Sequence, residues 1–272
     1  MIVNKNKSMK VILLSILFFM FVISPCVYGA GIGITVWYAQ WKPAWEDEMK
    51  NPDLDGVTEN YFDMNPSFMY GPTLSFDIMN QWKISTTALF GNFDYECGYT
   101  MSTGKKRVFQ GEEFKWDSDV TLQYIYNRYF FFFGGIKYQG YVSETDIIIL
   151  SSTNEELTRF SSKTRYYQIG PGLGVGCAVP LWGASSLLYS INFVGEYASD
   201  DNSEDKSADY WVYGINTTLG ISYYAKSLRT SFFIGGKLQL FHYNGQDGTE
   251  NEKSDGRNDL FYGVVFSAVY RI

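Results

Sequence analysis

Residues 259–272 read DLFYGVVFSAVYRI. Leu260, Tyr262, Val264, Phe266, Ala268, Tyr270 and Ile272 are all apolar, whereas the alternate positions include Asp259, Gly263, Ser267 and Arg271. Successive side chains of a β-strand point to opposite faces, so this stretch is a ribbon with one oily side. Its length suits the roughly 9 to 11 residues that a tilted strand needs to cross a bilayer.

Working back from it, the same alternation recurs over about 31–41, 68–78, 82–93, 118–126, 130–141, 166–177, 187–197, 210–223 and 231–243. In the first of these Ile32, Ile34, Val36 and Tyr38 share a face. The connections alternate in length. After the second, fourth, sixth and eighth strands they are short, and after the odd ones they are long and polar, namely 42–66, 94–117, 142–165, 198–209 and 244–258. Short turns at one end, long loops at the other and an even strand number describe an all-β fold, a transmembrane antiparallel up-and-down β-barrel of about ten strands. A mean hydropathy of -0.15 agrees with that, because barrel strands are apolar on one face only. The apolar residues 147–150 inside the third long connection are expected to extend strands above the membrane.

The one continuous apolar run follows Lys5, Lys7 and Lys10 and precedes the small residues Gly29 and Ala30, the form of a secretory signal peptide over 1–29 with the barrel over 30–272. Pro25 directly before Cys26 departs from a lipid-modification site. Removing 1–29 takes the formal charge from -7 to -10, which excludes nucleic acid as a natural partner. Cys97 and Cys177 are placed at opposite ends of the barrel, too far apart to bridge.

With Tyr262-Gly263 followed by Phe266, Ala268 and Tyr270, the closing strand is similar to the terminal signal of small bacterial outer-membrane β-barrels. The whole of 31–272 resembles that class in pattern, and departs from it by ending in Ile272 where an aromatic residue is usual. The resemblance implies a monomer integral to the outer membrane, in contact with its lipid and handed to it by the barrel-insertion machinery.

Inward charges fall into pairs if the hairpins centre on Asn80 and Arg128: Asp77 opposite Lys83, and Asp119 opposite Lys137. With Glu196 and Lys237 these are the candidate lumen residues. Two readings stay open. They fill a narrow interior as salt-bridged packing, or Lys137, Lys237, Asp119 and Glu196 line the constriction of a narrow passive channel for small solutes or ions. Gly170, Gly172, Gly174 and Gly176 strip one inward face of side chains, leaving a groove or room for Phe131, Phe133 and Phe233.

His242 is the sole histidine, so a lipid hydrolase would have to use it with Ser199 or Ser203. Omptin proteases, which also have ten strands, need two aspartates, for which Asp117 and Asp119 are candidates, plus an Asp-His pair; Leu240 stands where that last Asp is required, and the omptin reading fails. The outer loops are acidic. Asn51, Asp53 and Asp55 open a calcium-loop pattern that, with Glu59, makes a candidate site for weakly bound Ca2+ or another divalent cation, but its twelfth position is Phe62 instead of Glu. Trp37, Tyr38, Trp41 and Trp45 are expected in an interfacial belt, which needs no ligand; only loop residues such as Trp45 and Trp116 leave room for a sugar platform. The expectation is therefore a non-enzymatic, structural or surface-interaction barrel whose acidic loops meet an extracellular ligand.

Overall fold

The computed structural model describes residues 29–44, 46, 56–202, 209–244 and 257–272; the basic-apolar leader and the opening of the calcium-loop pattern lie outside them. Eleven strands account for almost all of the described chain: β1 (Gly29–Lys42), β2 (Val57–Met64), β3 (Ser67–Met79), β4 (Trp82–Met101), β5 (Lys106–Ile125), β6 (Phe130–Leu150), β7 (Glu156–Pro180), β8 (Ser185–Asn202), β9 (Asp209–Ala225), β10 (Thr230–Asn244) and β11 (Arg257–Arg271). Ten of them, all but β2, close into one antiparallel barrel, with β11 hydrogen-bonded to β10 on one side and to β1 on the other. The terminal stretch is thus the closing strand, and Ser267 hydrogen-bonds inward to Thr35 at 2.7 Å.

Outward positions between the strand ends are apolar all round, for example Ile34, Val120, Ile136, Leu173, Phe193, Leu219 and Val264, each about a third exposed or more. Aromatic residues border this band. Trp82 packs on Tyr124 at the turn end, and Phe114, Trp116, Tyr138 and Tyr167 form a chain of ring contacts at the other, as in a membrane-spanning barrel. Trp116 therefore stands on β5 in the outer girdle and not in a loop, while Trp45 lies outside the described residues. The tight turns are fixed locally: Asn127 Oδ1 accepts from the N–H groups of Tyr129 and Phe130 at 2.8 and 2.9 Å.

Two of the expected long loops are in fact strands. β4 and β5 stay paired from Trp82↔Tyr124 to Thr100↔Lys106, and β6 and β7 from Phe130↔Cys177 to Leu150↔Glu156. Above the bilayer the outward positions turn polar and the apolar ones, Phe93, Tyr95 and Cys97 on β4, face inward and are buried, so the oily outer face that marks a membrane strand ends while pairing continues. Within 42–66 the chain forms β2, which pairs with the upper half of β4 as β3 pairs with its lower half; the break between them falls at Asn65-Pro66. The apolar residues 147–150 do extend β6.

Cys97 and Cys177 are both free, as their separation requires. Cys97 sits on the extension of β4, opposite Phe62 of β2 and fully buried in the core, and burial, helped by the adjacent Glu96 carboxylate, pushes its thiol up to about 12. It should stay protonated across the neutral range: iodoacetamide at pH 8 is expected to leave Cys97 unmodified in folded protein, read by peptide mass spectrometry, and to alkylate it only after unfolding.

Two Gly-Pro steps interrupt otherwise regular strands. The β1–β3 ladder runs through Gly71 and Pro72, while the β3–β4 ladder skips both; likewise β6–β7 runs through Gly170 and Pro171, while β7–β8 skips them. Proline has no N–H to give to the partner strand. At each step the facing backbone closes onto the glycine, so that a Cβ at Gly71 or Gly170 would run into the carbonyl oxygen of Ala88 or Gly195.

Candidate functional site

The inward faces of β5, β6, β7, β8 and β10 meet in the lumen as one polar network. Lys137 forms an ion pair with Asp117 and a second, at 3.3 Å, with its register partner Asp119. Asp117 also accepts a hydrogen bond from Gln239 across the barrel at 2.8 Å. Lys115 donates to Gln139 Oε1 at 3.0 Å and to the Tyr141 hydroxyl at 2.6 Å, and lies 4.0 and 4.2 Å from the ring centroids of Tyr141 and Phe261. Gln139 donates to Glu196 Oε2 at 2.8 Å, Gln168 to the Tyr243 hydroxyl at 3.0 Å, and Tyr243 to Asp259 Oδ2 at 2.6 Å. The backbone N–H of Ala44 donates to the other oxygen of Asp259 at 2.6 Å.

The other half of the cross-section is aromatic. Trp41 stacks on Phe261 with centroids 5.1 Å apart and meets Phe93 edge-on at 5.6 Å, with Trp37, Met69 and Leu89 packed around them. Trp37 and Trp41 thus fill the lumen, contrary to their expected place in a membrane belt; they stand at alternate positions to Ile34, Val36 and Tyr38 and so face the other way. Lys115, Lys137, Gln139, Gln168, Glu196 and Gln239 are buried to within 2% of complete enclosure, so no water path crosses this level. Below it the lumen opens. Asp119, inward-facing and two residues from Asp117, is 34% exposed where Asp117 is 1%. The barrel is a dead-end vessel, stoppered towards the long-loop end.

Each lumen residue expected from the sequence is found inside. Asp77 faces Lys83 in register, and Lys137, Asp119, Glu196 and Lys237 gather at or just under the seal. Lys137 and Glu196 are brought together as packing within the seal, whereas Asp119 borders the open lumen below it. Phe131 and Phe133 fill the space left by Gly176 and Gly174; Phe233 covers Gly220 and Gly235 instead, a correction that follows from its place on β10. Missed were Gln168 and Gln239, whose inward parity on strands already recognised was the available signal, and Lys115, which fell in the connection 94–117 expected as a loop.

On the outside, the extensions above the girdle carry a cleft of about 690 Å³ lined by Asp63, Asp94, Glu96, Glu112, Glu144 and Asp146 with Tyr61 and Gln110. Asp94, Glu112 and Glu144 stand directly opposite one another on three adjacent strands. Lys163 of β7 pairs with Glu144, and Arg159 with Asp146 at 3.3 Å, closing the row at one edge. The Tyr61 hydroxyl and the Gln110 amide both donate to Glu96, at 2.9 and 2.8 Å. Of the candidate cation site, Asn51, Asp53 and Asp55 lie outside the described residues, and Glu59 is exposed on β2. Among the described residues no group of three or more His, Cys, Asp or Glu is placed to hold a metal.

His242 is exposed on the outer face of β10 and hydrogen-bonds Asn258 at 2.9 Å. Ser199 is paired with Asp209 and His242 with Tyr213, so the two are separated by the intervening strand and by four residues along it, roughly 10 Å across and 13 Å along the sheet. Ser203 lies outside the described residues. Asp117 and Asp119 are both lumen partners of Lys137, away from any outer cleft.

No protein-family model matches the sequence, and no curated protein sequence matches it. Among solved structures, the outer membrane protease OmpT from Escherichia coli superposes with a TM-score of 0.57 over 90% of this chain and 97% of that one, at 10% identity. The transport unit of the Escherichia coli autotransporter AIDA-I and the monoaromatic hydrocarbon channel CymD also align, over 93% and 90% of this chain, at TM-scores of 0.40 and 0.33 and identities of 10% and 8%. Identity at this level speaks for the fold and not for an activity. The chain has the fold of an outer-membrane β-barrel, ten strands in one closed antiparallel ring.

Proposed function

We propose that this is a closed, non-enzymatic barrel of the outer membrane whose work is done on its outer face, where the acidic cleft receives cationic groups of an extracellular partner. The observation that carries this reading is the row Asp94, Glu112, Glu144. Like charges directly opposed across strands destabilise a sheet by roughly 0.2–1 kcal/mol per pair, and nothing in the folding of the barrel requires them. A partner's lysine or arginine side chains, or a divalent cation, would relieve that repulsion. The stoppered lumen favours this role over the narrow channel, because two of the residues that would line a constriction, Lys137 and Glu196, are buried in the packing of the seal.

The test is binding of fluorescein-labelled oligolysine to the refolded barrel at low salt, followed by fluorescence anisotropy. Binding that weakens steeply as salt is added, and that falls about tenfold or more in the triple variant Asp94→Asn, Glu112→Gln, Glu144→Gln, is expected. Equal binding by the triple variant would contradict the assignment.

A further inference from the structure

At the underside of the seal, where the vestibule ends, stand polar groups that the barrel itself leaves unanswered. Lys237 points inward from β10 with its Nζ 4.5 Å from the centroid of the Trp37 ring, and among the described residues no carboxylate stands within 4.0 Å of it. The indole Nε1 of Trp37 is buried without a hydrogen-bond partner, and so are Gln239 Oε1, Asn216 Oδ1 and Asn192 Oδ1. These last three occupy a single rung: Asn192 pairs with Asn216 and Asn216 with Gln239. The next rung of the same face is Ser190, Thr218 and Lys237, about 7 Å along the strands.

Burying an ammonium without a counter-ion is costly, and each buried polar atom left unpaired adds to the cost. Here the unanswered groups are of two kinds. Lys237 and Trp37 are donors that need an acceptor, and a single ammonium calls for a single negative charge. The three amide oxygens are acceptors that need donors, which a carboxylate alone does not have and hydroxyl groups supply. Water reaches the lumen from the turn end as far as Asp119, so a small solute has a way in from the periplasmic side and none out through the seal.

We propose that the vestibule is a binding site for a small hydroxylated carboxylate of the sugar-acid type, its carboxylate held by Lys237 and the Trp37 indole N–H and its hydroxyls by Asn192, Asn216 and Gln239. A phosphate dianion fits less well, because the level offers one unpaired ammonium. This site is distinct from the outer cleft and does not depend on the role assigned to it.

The experiment is isothermal titration calorimetry of the refolded full barrel with sodium gluconate, with glucose and sodium acetate as the two halves of the ligand. Gluconate is expected to bind with a stoichiometry of one, and glucose and acetate at least about tenfold more weakly. Lys237→Met should weaken gluconate binding about tenfold or more, as should Asn216→Ala, which leaves the charge in place and covers the case of Lys237→Met failing to fold. Heat-modifiable gel mobility reports whether each variant is folded. Absence of heat above dilution with gluconate, or unchanged affinity in the folded variants, overturns the proposal; acetate binding as tightly as gluconate overturns the part assigned to the amide rung.

Discussion

Replacing Lys137 with methionine is expected to cost the barrel about 3–5 kcal/mol, the largest effect of any single charge change in the lumen. The reason lies in what remains. Asp117 is 1% exposed and would keep its charge with only Gln239 as a hydrogen-bond donor, in a space that water does not reach. Removing both charges is a different matter, since an apolar pair of similar volume needs no desolvation of ions; the double variant Lys137→Met, Asp117→Leu should recover much of the loss. Urea unfolding followed by tryptophan fluorescence measures both. A single variant within about 1 kcal/mol of wild type would mean that the pair is solvated and the seal is not dry.

The second large effect is at the Gly-Pro steps. Gly71→Val and Gly170→Val would each drive a side chain into a backbone carbonyl of the neighbouring strand, of Ala88 in the first case and of Gly195 in the second. Neither carbonyl can move away without opening a ladder that proline has already weakened, so both variants should fail to form the compact, heat-resistant band on a gel. Gly195 supplies the control within the same seam. A Cβ there meets nothing within 4 Å, because it faces the lipid between Phe193 and Tyr197, and Gly195→Ala should fold as wild type. Normal folding of both valine variants would show that the strands do not approach as described.

The membrane band was legible because physics writes it in the plainest pattern. A strand between oil and a polar lumen must alternate, and the alternation of 259–272 carried over to all ten barrel strands. Hairpin counting also placed Asp77 against Lys83 and Asp119 against Lys137, since register follows from the turn. What escaped lay where alternation ends. Asp94, Glu96, Gln110 and Glu112 read as loop because their outward face is polar and no longer marks a membrane strand, although Phe93, Tyr95 and Cys97 alternate with them on the buried face and their backbones pair as regularly as those below. Trp37 and Trp41 were misplaced for another reason: tryptophan near a strand end suits an interface, but parity with Ile34 and Val36 points both rings inward, and parity is the stronger argument. The seal itself could not be read from sequence, because it depends on how far long side chains such as Lys115, Gln168 and Gln239 reach across a closed barrel.

That seal is the centre of the account, and single-channel recording of the refolded protein in planar bilayers tests it most directly. The wild type should insert without conductance steps, while the variant Trp41→Ala, Phe261→Ala, which removes the stacked pair from the aromatic half of the stopper, should open a path and give small, discrete steps. Stable steps from the wild-type barrel would contradict a closed lumen and restore the channel.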